Sequence, residues 1–274
     1  MRIVYAVTLS ALFATACARR AAPAVHPDPS TDRSATAIEQ TREGVGPDAA
    51  ASRAPNATGA RGLNLCAQSE PETDESEALG LTPRVIHEGG REYRRYDRAD
   101  VFLRVRQRPL EAGTSSGALA LELRGPSTVQ RDRAIPLQLI FRNTSARSMT
   151  VIRSNDGSYE HMREPFVDVY AENVATHAVY RAAFVGGRCG MTNQLQASDL
   201  VSIAAGAQSE APVSEWARHL RESKIPAAGR YRLWAVYRMC GFDRAHGMGT
   251  SPVARPADLF EGRAASNAIE LTVQ

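Results

Sequence analysis

Hydrophobic and polar residues alternate through the C-terminal part of the chain, from residue 117 to residue 274. The alternation is clearest over residues 119–123 and again over residues 230–239. A period of two is typical of β-strands that bury one face. Turn-forming residues, such as those at 155–157, separate the short apolar segments, and no regular helical pattern alternates with them. We therefore predict an all-β, antiparallel sandwich with one core.

The pattern predicts about eight strands in this part of the chain. They are expected at residues 119–123, 135–141, 148–153, 166–170, 177–183, 200–204, 230–239 and 266–273. One or two helical turns are expected at 215–222. An additional strand is predicted at 101–105, upstream of the sandwich.

The N-terminal residues predict export and lipid attachment. Arg2 is followed by the apolar or small residues 3–16, a segment too short to span a bilayer as a helix, which takes roughly 20 residues. Residues 14–17 (ATAC) resemble the lipobox of bacterial lipoproteins. This resemblance implies a signal peptide at 1–16, diacylglycerol on Cys17 and membrane anchoring. Asp is absent after Cys17, which in the enteric sorting rule favours the outer membrane over the inner one.

Two further segments separate the anchor from the predicted sandwich. Residues 17–60 are rich in Ala, Pro, Ser and Arg and poor in large apolar residues, which predicts a disordered linker. Residues 61–116 form a charged transition segment, acidic at 70–77 and basic at 91–108. The formal net charge of the whole chain is only +3, which gives no general argument for binding nucleic acid.

The cysteine content indicates an oxidising compartment. With Cys17 lipidated, Cys66, Cys189 and Cys240 remain and allow three single pairings. Cys189 and Cys240 each precede a glycine at a predicted strand end. We therefore expect a Cys189–Cys240 disulfide and leave Cys66 as a thiol or an intermolecular link.

One local motif indicates the kind of sandwich. Residues 228–235 (AGRYRLWA) resemble the start of the penultimate strand of immunoglobulin-like domains, and residues 266–273 resemble their last strand. The resemblance implies an immunoglobulin-like β-sandwich of a secreted or envelope type. It also implies a tyrosine corner, in which the Tyr231 hydroxyl bonds to nearby backbone.

Motifs with catalytic or metal-binding potential are weak. Residues 113–117 match Gly-x-Ser-x-Gly but lack the strand and helix that a nucleophile elbow requires, so a loop is favoured. Asp156, Glu160, His161 and Glu164 lie close in sequence, yet their spacing fits no known metal motif. We expect no catalytic site, no metal and no cofactor.

The candidate binding surface has two parts. One is the basic run with Arg91, Arg94, Arg95 and Arg98, which could dock on phosphate groups of lipid, lipopolysaccharide or an acidic polymer. A solvated face whose arginines pair with the acidic residues at 70–77 is the favoured alternative. The other part is the connection at 241–265 between the last two predicted strands, which carries three aromatic candidates: Phe242, His246 and Phe260.

These patterns favour a lipid-anchored envelope module that binds or supports another protein without catalysis. A proteinase inhibitor of β-sandwich type is the second hypothesis, based on fold analogy alone. An envelope enzyme whose site converges only in three dimensions is the third.

Overall fold

Strands form nearly all the regular structure of the residues that the structure describes. The computed structural model describes residues 64–69, 71–97, 100–153, 163–184, 194–211, 223–246 and 253–274. In these residues the helical structure is limited to three 3₁₀ helices, Leu65–Ala67, Ala197–Asp199 and Phe242–His246. None of the helices in this part of the chain is long and apolar enough to cross a membrane. The prediction of an all-β fold is confirmed; the helical turns predicted at 215–222 lie outside the described residues.

Fifteen strands are present in the described residues, and nine of them overlap predicted ones. In chain order they are β1 (Thr73–Ala78), β2 (Arg84–Glu88), β3 (Arg91–Arg95), β4 (Asp100–Val105), β5 (Leu119–Arg124), β6 (Thr128–Val129), β7 (Gln138–Asn143), β8 (Met149–Ile152), β9 (Phe166–Asn173), β10 (Val179–Phe184), β11 (Leu200–Ile203), β12 (Gln208–Glu210), β13 (Gly229–Met239), β14 (Gly262–Ala265) and β15 (Ile269–Val273).

The largest sheet has β13 near its centre. Its strand order is β1-β4-β10-β9-β13-β15-β6, and β14 also pairs with β13. Every pairing is antiparallel except that of β15 with β6. β9 and β13 run side by side over eight residue pairs, from Tyr231 opposite Asn173 to Arg238 opposite Phe166.

Three smaller sheets complete the fold. One has the order β12-β7-β5, a second pairs β11 with β8, and a third pairs β2 with β3. The main core draws on the large sheet and on the first two small sheets together. Leu121 of β5, Phe141 of β7 and Val151 of β8 lie in one cluster with Val169 of β9 and Leu233 of β13. The two sets of strands therefore face each other across shared apolar side chains, as stacked sheets do.

β13 is buried on both faces. Its odd-numbered residues from Tyr231 to Met239 lie in the main core, as the alternation predicted. Trp234 and Val236 face the other way, into a second cluster. There the Trp234 indole stacks on Tyr170 at 5.6 Å and donates from Nε1 to the Leu110 carbonyl at 3.0 Å. The segment near Leu110 thus covers the outer face of the sheet.

The Tyr231 hydroxyl makes the contact expected of a tyrosine corner. It donates to the Ala227 carbonyl oxygen at 3.0 Å, four residues upstream. Tyr231 is fully buried, and its burial raises the pKa of the phenol. The hydrogen bond satisfies a polar group that would be costly to bury alone.

The large sheet extends upstream of the predicted domain boundary at residue 117. β1 pairs with β4, and β4 pairs with β10 over five residue pairs. Val101 and Phe102 of β4 are buried. Residues 73–78 and 100–105 therefore belong to the same sheet as the strands after residue 117. The sequence pattern did not predict β1, because its sequence TDESEA contains almost no apolar residues.

The disulfide joins Cys240 to Cys66, and the prediction that Cys240 pairs with Cys189 is wrong. The Cα atoms of Cys66 and Cys240 lie 5.5 Å apart, although 174 positions separate them in sequence. Arg263 supports the same contact by donating from Nη2 to the Gln68 carbonyl at 2.7 Å. Local motifs at each cysteine could not reveal this pairing, because the fold brings residues 64–69 to the end of β13. Cys189 lies outside the described residues.

Closing so long a loop removes much entropy from the unfolded chain, about 5 kcal/mol in the chain-entropy model. We predict that Cys66→Ser or Cys240→Ser lowers the free energy of unfolding by about 2–5 kcal/mol, the usual cost of losing a native cross-link. The double variant should lose no more than either single variant, since both remove the same bond. Urea unfolding of the oxidised proteins, followed by circular dichroism, measures this.

Cys189→Ser is the matched control for this prediction. In a peptide map made without reducing agent, this variant should still give the two peptides that the Cys66–Cys240 disulfide links. A peptide that links Cys189 to Cys240, or equal destabilisation by Cys189→Ser, would contradict the pairing.

Candidate functional site

The strands β2 and β3 form an exposed hairpin, which we call the ribbon (residues 84–95). Two glycines connect them, Gly89 with φ of 58° and Gly90 with φ of 77°. A two-residue hairpin turn with positive φ at both positions is the type I′ turn, and glycine adopts it without a Cβ clash. Within the described residues, β2 and β3 pair only with each other.

The register of the ribbon sorts its side chains into two faces. Residues directly opposite each other in an antiparallel pair point to the same side. The pairs are Arg84 with Arg95, Ile86 with Tyr93 and Glu88 with Arg91 on one side, and Val85 with Arg94 and His87 with Glu92 on the other. We call the first side the basic face, because it carries three arginines and a single glutamate.

The ribbon is the part of the described chain that presents large apolar side chains to solvent. Val85 is 47% exposed and Tyr93 is 43% exposed. Every residue of β3 is exposed. Tyr96, just beyond β3, is half-buried against the cluster that includes Val101 and Leu103, so it fixes the base of the ribbon to the large sheet.

Two acidic residues of β1, and Glu72 just before it, pair with Arg104 of β4 and with Arg106 just after β4. Arg104 lies 3.5 Å from Glu77, and Arg106 lies 3.6 Å from Glu72 and 3.8 Å from Asp74. Hydrogen bonds from Ser76 hold the pKa of Asp74 below its ordinary value, so this carboxylate stays charged at neutral pH. The acidic residues at 70–77 therefore neutralise Arg104 and Arg106, two arginines of the basic run at 91–108.

The arginines of the basic face have no such partners. Among the described residues, Arg84, Arg91 and Arg95 make no ion pair, whereas Arg94 on the other face lies 3.8 Å from Glu92. Arg84 and Arg95 also stand directly opposite each other, and like charges in that position destabilise a strand pair. The ribbon therefore holds more positive than negative charge, with four arginines against Glu88 and Glu92. Arg98, the fourth arginine of the predicted surface, lies outside the described residues.

The sequence itself indicates this hairpin, although the many charged residues around it drew attention away from the turn. Gly89-Gly90 between two short segments with β-branched and aromatic residues indicates a two-residue hairpin. That assignment would have placed Arg84 and Ile86 beside Arg95 and Tyr93.

The aromatic residues predicted as a second binding surface belong largely to the core. Phe242 is 7% exposed and Phe260 is 5% exposed, and both lie in the main apolar cluster. The Phe260 ring lies 6.1 Å from that of Tyr237, and the Phe242 ring packs edge-on against His246, which is half-buried. The expectation that Phe242 and Phe260 form a surface is therefore wrong. The connection folds back over the core and ends as β14, although residues 247–252 lie outside the described residues.

Glu164, from the acidic cluster considered for metal binding, is a buried structural carboxylate. It is 2% exposed and accepts hydrogen bonds from the backbone N–H groups of Cys240 and Gly241. The guanidinium groups of Arg238 and Arg244 each lie 3.4 Å away. Glu164 thus holds the end of β13 beside the disulfide. Its sequence neighbours Asp156, Glu160 and His161 lie outside the described residues.

A small cleft lies on the outer face of the large sheet. Its volume is about 130 Å³, and Glu172, Arg232 and Trp234 contribute to its lining with Arg108. Glu172 is buried between Arg108 at 3.5 Å, Arg232 at 3.4 Å and His177 at 3.2 Å. Small-molecule sites usually occupy roughly 300–1,000 Å³. The cleft is smaller than this, and the buried carboxylate already contacts three basic groups.

Ser115, the serine of the Gly-x-Ser-x-Gly match, lies in a loop, and its hydroxyl bonds to backbone of the same segment. The Ser115 hydroxyl donates to the Leu119 carbonyl at 2.8 Å and approaches the Gly117 carbonyl at 3.1 Å. In the part of the chain that the structure describes, no group of three or more His, Cys, Asp and Glu residues is arranged to hold a metal ion. Cys17, the predicted lipidation site, lies outside that part.

Comparison with known proteins identifies no family. No family model and no curated protein matches the chain. A solved structure that matches is the Pseudomonas fluorescens alkylpurine DNA glycosylase AlkC bound to DNA containing an abasic site analog. The identity is 10%, the match covers 58% of this chain and 31% of that one, and the TM-score is 0.25. A similarity at this level carries no argument about fold or function.

The environment of Glu164 generates a stability prediction. Glu164→Gln should lower the free energy of unfolding by about 2–4 kcal/mol, because it removes the buried negative charge that faces the guanidinium groups of Arg238 and Arg244. Glu270→Gln is the matched control: Glu270 pairs with Arg230 at 3.1 Å, but both side chains are largely exposed, so the expected loss is below about 1 kcal/mol. Urea unfolding at neutral pH compares the two, and equal losses would contradict a structural role for Glu164.

Proposed function

We propose that this chain is a non-catalytic binding module of the bacterial cell envelope. In this proposal a lipid on Cys17 attaches it to the membrane, with the outer membrane favoured, and the linker at 17–60 carries the β-domain. The ribbon is its contact element. The Cys66–Cys240 disulfide supports an oxidising compartment outside the cytoplasm, where such bonds persist.

The exposure of the ribbon is the observation on which the proposal rests. Val85 and Tyr93 both lie on it, and both are exposed although most large apolar side chains of the described chain are buried. Tyrosine and arginine are enriched at binding surfaces, since each combines a large contact area with directional hydrogen bonds. A small hairpin with these residues, fixed at its base by Tyr96, is suited to contact another component.

The chemistry of the described residues supports binding over catalysis. The buried carboxylates Glu164 and Glu172 each contact two arginines. His177 contacts Glu172, and His246 packs against Phe242. A general base needs a substrate proton within hydrogen-bond reach, and neither arrangement lies in a cleft large enough to hold most substrates.

We further propose that the sandwich is immunoglobulin-like. The hydrogen bond from Tyr231 to Ala227 supports this, because it has the form of a tyrosine corner. The shared core between the large sheet and the sheets of β5–β7 and β8–β11 also supports it. The proteinase-inhibitor alternative needs a protruding loop, and the described parts of the 241–265 connection instead pack Phe242 and Phe260 inward.

The proposal predicts selective contact by the ribbon in the cell. A photo-crosslinking amino acid at Tyr93 should give adducts with an envelope component in a host that has two membranes. The same amino acid at Glu270, an exposed position on β15, is the matched control and should give few adducts. Gel analysis and mass spectrometry of the irradiated envelopes detect the products.

Fractionation of the same cells tests the anchor. The chain should be found with the outer membrane and incorporate labelled fatty acid, whereas Cys17→Ser should lose the label. Similar adduct yields at Tyr93 and Glu270 would contradict the assignment of the ribbon as the contact element. Fatty-acid labelling of the Cys17→Ser variant would contradict lipid attachment at Cys17.

A further inference from the structure

The basic face of the ribbon indicates the chemical class of what the ribbon contacts. We propose that this face docks on an anionic phospholipid surface. The inference rests on the proposed binding function and deepens it, since it names the partner of the same surface.

Three arginines of the basic face carry positive charge that no ion pair within the described residues neutralises. Arg84, Arg91 and Arg95 make no ion pair among the described residues, while the acidic strand β1 pairs with Arg104 and Arg106. The direct opposition of Arg84 and Arg95 costs stability in the isolated protein. A phosphate between the two guanidinium groups would turn this repulsion into two charge-assisted contacts.

An apolar pair lies between the charged residues of the basic face. The half-buried Ile86 and the exposed Tyr93 lie opposite each other, with the Arg84–Arg95 pair on one side along the ribbon and the Arg91–Glu88 pair on the other. Tyrosine is enriched where membrane meets water, because its ring is apolar and its hydroxyl is polar. Arginine can lay its aliphatic stem along apolar surface while the guanidinium reaches phosphate. An apolar pair framed by arginines thus fits a lipid headgroup layer.

The positive charge available for binding is confined to the ribbon. The formal charge of the whole chain is only +3, so a general field does not draw it to polyanions. The contact requires phosphates and apolar depth together on one open face. A soluble acidic polymer offers only the charge, whereas a phospholipid layer offers both.

Vesicle sedimentation tests the proposal directly. The mature chain, residues 17–274 with Cys17→Ser, carries neither the apolar signal segment nor an acyl group. It is mixed with vesicles of phosphatidylethanolamine and phosphatidylglycerol or of phosphatidylcholine alone. Binding is expected to the first and to be weak to the second, and to fall as salt is raised from about 50 to 500 mM because of screening.

Variants assign the binding to the basic face. Each arginine near an anionic surface contributes roughly fivefold, so Arg84→Gln with Arg95→Gln should weaken binding by about 25-fold. Tyr93→Ser should weaken it by roughly fivefold through lost apolar contact. Arg104→Gln with Arg106→Gln removes the same charge from arginines already paired with β1 and should weaken binding far less.

Folding is monitored in the same samples. The Arg84→Gln and Arg95→Gln variant removes a repulsive pair, so its melting temperature should equal or exceed that of the parent. Absence of binding by the parent, equal loss in the Arg104/Arg106 control, or equal binding to phosphatidylcholine would overturn the proposal. Protein adducts from Tyr93 in cells without vesicle binding would overturn only the lipid assignment, and the binding function would stand.

Discussion

The pairing of β13 with β9 is the constraint on which the rest of the structure depends. The two strands are matched over eight residue pairs, and β13 buries side chains on both of its faces. Tyr231, Leu233 and Tyr237 fill the main core, while Trp234 holds the segment that covers the opposite face. A one-residue slip would exchange these two sets and place Trp234 in the core. The register of this pair therefore positions both layers of packing.

The end of β13 is where the covalent and ionic constraints meet. Cys240 follows the strand and is bonded to Cys66, while Glu164 accepts hydrogen bonds from the backbone of Cys240 and Gly241. Residues far apart in sequence are thus joined at one strand end. This cross-link attaches the segment at 64–69 to the sheet whose edge strand β1 lies just downstream.

The sequence predicted the strands whose burial alternates and missed those whose residues are charged. β13 could be predicted because five apolar or aromatic side chains recur at every second position. β1 could not be predicted, because its sequence TDESEA has no such alternation. It is a strand because it pairs with β4. The disulfide partner of Cys240 was also hidden, since only the assembled sheet brings Cys66 near. Phe242 and Phe260 show the same difficulty, because composition does not tell a core aromatic from an exposed one in a long connection.

The candidate site was predicted in part. The sequence shows Arg91, Arg94 and Arg95 as one basic run, but the order of charges along the chain does not show which of these arginines form ion pairs. The register supplies that information: it separates Arg94, which lies near Glu92, from Arg91 and Arg95, and it adds Arg84 opposite Arg95. The division between paired and unpaired arginines is a property of strand pairing, so it follows only from the fold.

Hydrogen–deuterium exchange of residues 17–274 with Cys17→Ser, with and without vesicles that contain phosphatidylglycerol, distinguishes a rigid sheet with a lipid-binding ribbon from other arrangements. The account predicts slow exchange in β9 and β13 under both conditions, and fast exchange in residues 84–95 that slows only when the vesicles are present. Unchanged exchange in the ribbon, or new protection confined to another surface, would contradict it.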